Sequence, residues 1–364
     1  IRRPPRSTQS RSSAASDVYK RQNQSSHRRK NILTGEWVLV STKRNQRPWQ
    51  GRKENKLEKQ SVHYEPKCYL CPGNKRANNK ITPDYNNTFS FINDFSALDS
   101  KDSNNNFKDK LLEAKTESGV CKVLCYSPNH SLTMPLMTLK EIILIIKLWQ
   151  EEYKKLGSLS SINHVQIFEN KGKLMGCSNA HPHGQVWAQK SIPKESLKKK
   201  FYQTKYFTQN NKSLLLSYVD QELKAQERIV YENDSFVALV PFWAVWPYET
   251  MIIPKIHYKS VLELSEKEVI DYAEILKSLT TKYDNLFQTS FPYSSGINQA
   301  PTNKDENKEW HMHMSFYPPL LRSVDVKKFM VGYEMFAEPQ RDITPEFAAE
   351  KLRNCSKIHF SKVK

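Results

Sequence analysis

Cys177-Ser-Asn-Ala-His181-Pro-His183-Gly-Gln185-Val-Trp187 is the most informative stretch of this chain. Two imidazoles flank a proline, and a carboxamide follows two residues after the second imidazole. In an extended segment, residues two apart point to the same face at a spacing of about 6–7 Å. The stretch therefore predicts a strand with both histidines and Gln185 in one polar row, and with Val186 and Ala188 on the opposite face.

The second histidine of this pair, His183, is the candidate nucleophile. An imidazole is a competent nucleophile near neutral pH because its unperturbed pKa is about 6.5. A polar face on an ordinary sheet strand is the alternative explanation of a His-x-His pair. Small residues favour a phosphate-handling site, because they let a ligand approach the backbone; they are Gly176, Cys177, Ser178, Ala180 and Gly184.

Length and composition are those of a globular protein with a basic surface. A chain of 364 residues, 38% hydrophobic and 26% charged, can bury a large core in one or two domains. The net charge of +18 would suit a nucleic-acid partner. Residues 1–22 hold six basic residues against one acidic residue, and their Ser/Arg/Pro-rich composition predicts that 1–26 is a disordered, non-native tail. The other lysines are scattered, which indicates a solvated surface.

Neither a membrane span nor a disulfide framework is predicted. The most apolar segment, 142–149, contains Lys147 and is too short to cross a bilayer. Six cysteines in a chain of this length, without a secretory signal, are typical of a cytoplasmic protein whose thiols are available for metal.

Two helices with the same N-terminal signature indicate two related α+β halves, 27–195 and 196–364, joined by a polar segment in the 190s. Thr138 with Glu141 has capping-box spacing, as has Ser265 with Glu268. A turn followed by a strand is predicted at 34–41, further strands at 120–126, 164–168, 228–231, 236–240, 250–253 and 311–317, and a last helix at Thr344-Pro345. The side chains predicted to face inward are Ile142, Ile145, Ile146 and Trp149 in the first helix and Ile270, Ala273, Ile275, Leu276 and Leu279 in the second.

Cys68-x-x-Cys71 is the second chemical signal. Two thiolates at this spacing can hold one side of a tetrahedral zinc ion, although a redox pair or two buried thiols would also explain them. His130 and His181 are candidates for the remaining ligands. A Cys2His2 site of this kind would give His181 a structural role and leave His183 free for chemistry.

Other polar residues give weaker signals. His311-x-His313 precedes Phe316-Tyr-Pro-Pro, and this context favours a packed strand edge over a functional site. Four basic residues are candidate phosphate contacts, although each alone is more typical of a solvated surface; they are Arg44, Arg47, Lys328 and Arg341.

Further motifs stand in a consistent order along residues 27–361. They are Thr34-Gly-Glu-Trp, Arg47-Pro-Trp-Gln-Gly, Phe91-Ile-Asn-Asp-Phe, Val240-Pro-Phe-Trp-Ala-Val-Trp-Pro-Tyr-Glu-Thr, Tyr317-Pro-Pro-Leu-Leu-Arg-Ser and Val326-Lys-Lys-Phe-Met-Val-Gly-Tyr-Glu-Met-Phe-Ala. Together with Phe168-Glu-Asn-Lys-Gly, Met175-Gly-Cys-Ser-Asn and His181-Pro-His-Gly-Gln, they resemble the galactose-1-phosphate uridylyltransferase family.

The resemblance implies an α+β fold of two histidine-triad-like halves, each a mostly antiparallel sheet with packed helices, in a cytoplasmic homodimer with shared active sites. It also implies ping-pong chemistry of the Leloir pathway of galactose metabolism. His183 would take the uridylyl group of UDP-glucose and release glucose 1-phosphate, and galactose 1-phosphate would then accept that group as UDP-galactose.

The resemblance also implies roles for individual residues. Gln185 would hold a phosphoryl oxygen where hydrolytic relatives carry a third histidine, which suits transfer to a sugar phosphate rather than to water. Zinc would be bound by Cys68, Cys71, His130 and His181. The uridine and phosphate pocket would be lined by Asn93, Asp94, Asn170, Gly176, Cys177 and Ser178, and completed, in part from the partner subunit, by Arg44, Arg47, Lys328, Phe329, Tyr333, Glu334 and Gln340.

The sequence departs from the family at a second metal site, built in the family from one Glu and three His. The matching positions are Lys199, Asn298, His313 and Ser315, so one ligand remains and the site is predicted lost. Ala180 replaces a proline common in the family.

Two alternative functions are weighed against the transferase. A nucleotide hydrolase or phosphorylase could share the fold, but Gln185 is a poor acid–base group. A basic nucleic-acid-binding protein would depend on salt-sensitive phosphate contacts, but no base-reading motif is present.

Overall fold

One nine-stranded sheet, two small sheets and six α-helices make up the part of the chain that the computed structural model describes, residues 25–41, 43, 62–101 and 105–363. This architecture confirms the predicted α+β class. The strands are β1 (His27–Lys30), β2 (Trp37–Val40), β3 (Phe89–Ile92), β4 (Phe107–Asp109), β5 (Leu112–Ala114), β6 (Gly119–Cys125), β7 (His164–Lys171), β8 (His183–Gln189), β9 (Ile229–Glu232), β10 (Phe236–Leu239), β11 (Thr250–Pro254), β12 (Tyr293–Asn298), β13 (His313–Tyr317) and β14 (Gln340–Arg341). The helices are α1 (Leu139–Gly157), α2 (Lys194–Asn210), α3 (Leu214–Ala225), α4 (Glu266–Phe287), α5 (Tyr333–Phe336) and α6 (Pro345–Arg353).

The large sheet has the order β3-β6-β8-β7-β12-β13-β11-β10-β9, and each neighbouring pair is antiparallel. The two halves of the chain meet where β7 pairs with β12, from Lys171 opposite Tyr293 to Ile167 opposite Ile297. The order is mirrored about this junction, with β7, β8 and β6 on one side and β12, β13 and β11 on the other. A His-x-His pair opens the second strand on each side, at His183 in β8 and at His313 in β13.

Helices α1 and α4 pack against each other on one face of this sheet. Both begin with the predicted capping box, in which the side chains of Thr138 and Ser265 accept from the backbone N–H of Glu141 and Glu268, and each glutamate accepts in return. The predicted apolar stripe of α1 is buried throughout, and it joins the main core beneath β7 and β8. These helices therefore support the sheet from the face opposite the His183 row.

The inward orientation predicted for one residue of the α4 stripe is wrong. Ile270 is 49% exposed, whereas Ala273, Ile275, Leu276 and Leu279 are completely buried. Val269 takes the inward position in the first turns of α4, and a residue one position later is rotated by about 100° toward solvent.

Helix α2 begins in the polar, lysine-rich segment of the 190s that was predicted to be a junction, and neither α2 nor α3 was predicted. They form a second core with the other face of β10 and β11, because successive side chains of a strand alternate between faces. Leu214, Leu215 and Val219 of α3 meet Val237 and Leu239 of β10 in this cluster. The proposed division between residues 195 and 196 falls within the first turn of α2.

The His311-x-His313 pair is buried, as the packed-strand interpretation predicted, but its placement at a strand edge is wrong. β13 lies inside the sheet, between β12 and β11. Both histidines are fully buried, and burial lowers the pKa of His311 to about 3.

A buried ion-pair network ties β1 to helix α6. Arg29, 1% exposed, donates through both terminal nitrogens to the carboxylate of Glu346, at 2.9 and 3.1 Å, and Arg228 donates to the same carboxylate at 2.7 Å. Burial by itself would raise the pKa of Glu346, but the hydrogen bonds and charges of the two arginines outweigh it and lower this pKa to about 2.

Replacing Glu346 with glutamine is expected to lower the free energy of unfolding by about 3 kcal/mol at pH 7. Because the folded pKa is depressed, the carboxylate stabilises the fold fully above its ordinary pKa of 4.5 and loses this effect as the pH falls toward 2. Urea unfolding of both proteins at pH 7, 5, 4 and 3 should show a difference that shrinks with acid. The exposed Glu350 of the same helix provides a control, Glu350→Gln, and a pH-independent difference for Glu346→Gln would contradict the prediction.

Candidate active site

Strand β8 presents the polar row that the sequence predicted. His183, Gln185 and Trp187 point to the half-buried face, while Val186 and Ala188 are completely buried on the other face. β8 is held between β6 and β7, with Gln185 opposite Val123 on one side and Phe168 on the other. The row is therefore fixed at the centre of its half of the sheet.

The two ring nitrogens of His183 have different roles. Nδ1 lies 2.7 Å from the carbonyl oxygen of His181, and because a carbonyl oxygen can only accept, Nδ1 must carry the proton. The lone pair of the neutral ring is then on Nε2. Burial lowers the pKa of His183, so the neutral, nucleophilic form predominates at pH 7.

A cavity of about 50 Å³ lies next to His183. It brings the candidate nucleophile together with five of the residues expected in the pocket. Gly176 has a φ of +76°, a left-handed conformation that glycine adopts without strain, so the loop can turn beside the cavity. The lining residues are Asn170, Gly176, Cys177, Ser178, His183, Gly184 and Gln185.

The other residues expected in the pocket do not line this cavity. Asn93 and Asp94 follow β3, where Asp94 pairs with Lys80 at 3.1 Å. Arg341, a candidate phosphate contact, is buried and donates to the carbonyl oxygens of Trp246 and Pro247, so its guanidinium is already engaged. Arg44 and Arg47 lie outside the described residues.

The expected contacts from the C-terminal region form a separate group. Lys328 donates to the Glu334 carboxylate and, at 3.2 Å, to the side-chain oxygen of Gln340. Phe329 is 38% exposed and Tyr333 is 52% exposed. Lys328, Glu334 and Gln340 are therefore in mutual contact, and none of the five residues lines the cavity beside His183 of the same chain.

Cys68, Cys71, His130 and His181 converge on one point. One potential ligand atom from each residue lies within 4.8 Å of all the others. Nδ1 of both histidines lies 3.5 Å from Cys71 Sγ. Ligands at the 2.0–2.3 Å bond lengths of tetrahedral zinc are separated by about 3.3–3.8 Å, so the geometry and the donor types suit a metal ion of this kind. The cluster can hold a metal.

The residues around this cluster orient its ligands. His181 Nε2 lies 2.7 Å from the Ser127 carbonyl oxygen and 3.0 Å from the Tyr85 hydroxyl, which leaves the Nδ1 lone pair for a metal. Asn179 donates to Cys68 Sγ at 3.3 Å and accepts from the backbone N–H of His181 at 2.9 Å. None of these three residues was predicted to support the cluster. The position of Asn179 next to the His181 motif was a usable signal, whereas Tyr85 and Ser127 had none.

The four positions matched to the family's second metal site also lie together. Lys199 of α2 donates to the side-chain oxygen of Asn298, whose nitrogen donates to Ser315 Oγ at 3.3 Å and to the backbone oxygen of His313 at 3.4 Å. Burial lowers the pKa of Lys199 to about 8, so its amine is still mostly a cation at pH 7. Among the described residues, three or more metal-binding side chains converge in the Cys68 cluster alone.

All six cysteines are free, and Cys121 and Cys125 are completely buried. No helix in the described ranges has both the length and the apolar character needed to cross a membrane.

Solved structures share this fold. A uridylyltransferase structure superposes with a TM-score of 0.71 at 25% identity, over 90% of this chain and 97% of that chain. An ADP-glucose phosphorylase from Arabidopsis thaliana gives the same TM-score at 23% identity, over 91% of this chain and 100% of that chain, and that likeness concerns the fold alone.

Sequence comparisons identify the family. The model of the galactose-1-phosphate uridyl transferase N-terminal domain matches residues 16–193, and that of the C-terminal domain matches 198–364. The galactose-1-phosphate uridylyltransferase of Haemophilus influenzae is 50% identical over 92% of this chain and 95% of its own length. That of Saccharomyces cerevisiae is 48% identical over 92% and 96%, and that of Rattus norvegicus is 46% identical over 92% and 89%. The chain belongs to the galactose-1-phosphate uridyl transferase family.

Proposed function

We propose that this chain is a UDP-glucose:hexose-1-phosphate uridylyltransferase that passes the uridylyl group through His183 to galactose 1-phosphate. The names of relatives 46–50% identical over nearly the whole chain support the activity. The observation that carries the role of His183 is its hydrogen bond to the His181 carbonyl, which leaves Nε2 as the nucleophilic atom beside the small-residue cavity.

In the first half-reaction, the His183 Nε2 lone pair attacks the α-phosphorus of UDP-glucose. The N–P bond forms as the bond from phosphorus to the bridging oxygen breaks, and glucose 1-phosphate leaves with that electron pair. In the second half-reaction, a phosphate oxygen of galactose 1-phosphate attacks the same phosphorus and the N–P bond breaks, giving UDP-galactose and free His183. The Nδ1–H bond to His181 stabilises the charge that the ring carries when Nε2 is bound to phosphorus.

Gln185 supports transfer rather than hydrolysis. Its neutral amide can donate to a phosphoryl oxygen, but it has no titratable group with which to activate water. The cavity therefore provides a nucleophile and hydrogen-bond donors without a second general base. This combination favours an acceptor that is already a nucleophilic oxyanion, such as a sugar phosphate.

One zinc ion per chain would bind to Cys68, Cys71, His130 and His181. Bound there, it would supply structural rigidity rather than reaction chemistry. The His181 ring would be a ligand, and the carbonyl of the same residue holds His183 Nδ1. At the second site, the Lys199 cation would repel a divalent metal ion, which supports a single metal.

A homodimer would explain why the expected C-terminal contact residues do not line the cavity beside His183 in their own chain. Three apolar side chains near Lys328 are highly exposed; they are Val331, Met335 and Phe336. A second subunit could cover this apolar surface and receive Lys328, Phe329, Tyr333, Glu334 and Gln340 at its own cavity. The free thiols suit a reducing compartment such as the cytoplasm, and we expect neither nucleic acid nor membrane as a partner.

The test is to mix the protein with UDP-glucose alone and measure its intact mass. We expect a covalent uridylyl adduct, located on His183 by peptide mapping, which galactose 1-phosphate removes with release of UDP-galactose. A protein that exchanges UDP-glucose and galactose 1-phosphate at full rate without forming an adduct would rule out the two-step reaction.

A further inference from the structure

We propose that Trp187 is a positioning residue, which fixes the end of the Gln185 side-chain amide that faces the nucleotide. The inference deepens the proposed function, because it assigns the Gln185 amide nitrogen to the phosphoryl oxygens. Trp187 is not among the residues that line the cavity, so any effect on the nucleotide passes through Gln185.

The orientation follows from hydrogen-bond chemistry. Trp187 Nε1 lies 3.1 Å from Gln185 Oε1. An indole N–H can only donate, and an amide NH2 group can only donate, so the end of Gln185 that faces Trp187 must be the oxygen. The NH2 group is then directed away from the indole, and within the described part of the chain it has no hydrogen-bond partner of its own.

The indole is itself held in place. The rings of Trp187 and Phe168 meet edge to face, with centroids 5.7 Å apart and planes at 76°. Phe168 is paired with Gln185 across β7 and β8. Trp187 is thus fixed by an aromatic neighbour on the adjacent strand, and its N–H bond to Gln185 is preorganised before a nucleotide arrives.

The second carboxamide at the cavity has the same arrangement. Ser294 Oγ donates to Asn170 Oδ1 at 2.7 Å, and the two residues are paired across β12 and β7. Both carboxamides therefore have their oxygens bound from outside the cavity, so that N–H groups remain for a ligand. Phosphoryl oxygens only accept hydrogen bonds, so N–H donors at the cavity suit them. A flipped amide would instead place its own oxygen, a second acceptor, next to a phosphoryl oxygen.

A double-mutant cycle tests the proposal. Trp187→Phe keeps an aromatic ring against Phe168 but loses the N–H, so the Gln185 side chain is no longer anchored in the position and orientation that direct its NH2 group to the nucleotide. We expect adduct formation from UDP-glucose to slow by about tenfold, the effect of losing one hydrogen bond to a charged group. In a Gln185→Ala background the same substitution should change the rate less than twofold. Trp187→His, whose ring N–H can donate, should recover part of the rate lost in Trp187→Phe.

Equal effects of Trp187→Phe in both backgrounds would show a role independent of Gln185 and would overturn the proposal. The proposal would also be overturned if Trp187→Phe had no effect in the protein that retains Gln185. The same cycle is measured on the Kd of UMP by calorimetry, which requires no chemical step. A wild-type protein that binds UMP but forms no adduct would refute the proposed function, while coupling between Trp187 and Gln185 in the UMP data would still support the positioning role. Absence of coupling in those data would refute the positioning role by itself.

Discussion

His183→Ala is expected to abolish the covalent uridylyl adduct and to lower kcat by a factor of about 10⁴–10⁶, the range seen when a covalent nucleophile is removed. The reason is geometric. Nε2 of His183 is the ring atom left unprotonated by the 2.7 Å hydrogen bond from Nδ1 to the His181 carbonyl, and the cavity contains no second imidazole. Intact mass after mixing with UDP-glucose, and the turnover of UDP-glucose with galactose 1-phosphate, measure the two effects.

A suitable control is Gln189→Ala, because Gln189 lies on the same face at the far end of β8 and its amide donates to Ser191 Oγ outside the cavity. This variant should form the adduct at close to the wild-type rate. The melting temperature of His183→Ala should stay within a few degrees of wild type, since its ring is only partly buried and is not a member of the Cys68 cluster. An adduct that persists in His183→Ala would place the nucleophile elsewhere.

Local sequence signals were sufficient for much of the fold and for the centre of the site. A capping box depends on residues three positions apart, and a polar row on residues two positions apart, so α1, α4 and the His183 face of β8 could be predicted without knowledge of the tertiary structure. The Cys68-x-x-Cys71 pair was equally local.

Features that depend on distant segments could not be predicted in the same way. Helix α2 has a lysine-rich, weakly apolar sequence, and it is stabilised by packing with α3 rather than by a strong pattern of its own. The wrong placement of Ile270 has a related cause, because Ile270 and Val269 are both apolar and only the position of the sheet decides which one faces inward. Tyr85 reaches His181 from 96 residues away, and no local pattern indicates that contact.

Cys71→Ser is expected to eliminate bound zinc and to destabilise the protein strongly. Purified wild-type protein should contain one zinc per chain, measured by plasma emission spectrometry, and the variant close to none. Structural zinc sites contribute binding free energies of about 10–16 kcal/mol, so a loss of about 5 kcal/mol of folding free energy is a conservative estimate. In a chain of this size, the unfolding entropy is about 0.8 kcal/mol/K, so that loss corresponds to a fall in melting temperature of about 5–10 °C. His181→Ala should behave similarly.

The matched control is Cys121→Ser, which alters another completely buried thiol, one that is outside the four-residue cluster. It should retain one zinc and lose much less stability. Zinc retained in Cys71→Ser would refute the ligand assignment, and two zinc ions in the wild type would show that the Lys199 cation does not prevent metal binding at the second site.

Loss of the metal is also expected to slow catalysis. His181 would bind the metal through its ring, and its backbone carbonyl accepts the hydrogen bond from Nδ1 of the nucleophile His183. Any Cys71→Ser protein that remains folded should therefore form the uridylyl adduct more slowly, although none of the four ligands lines the cavity.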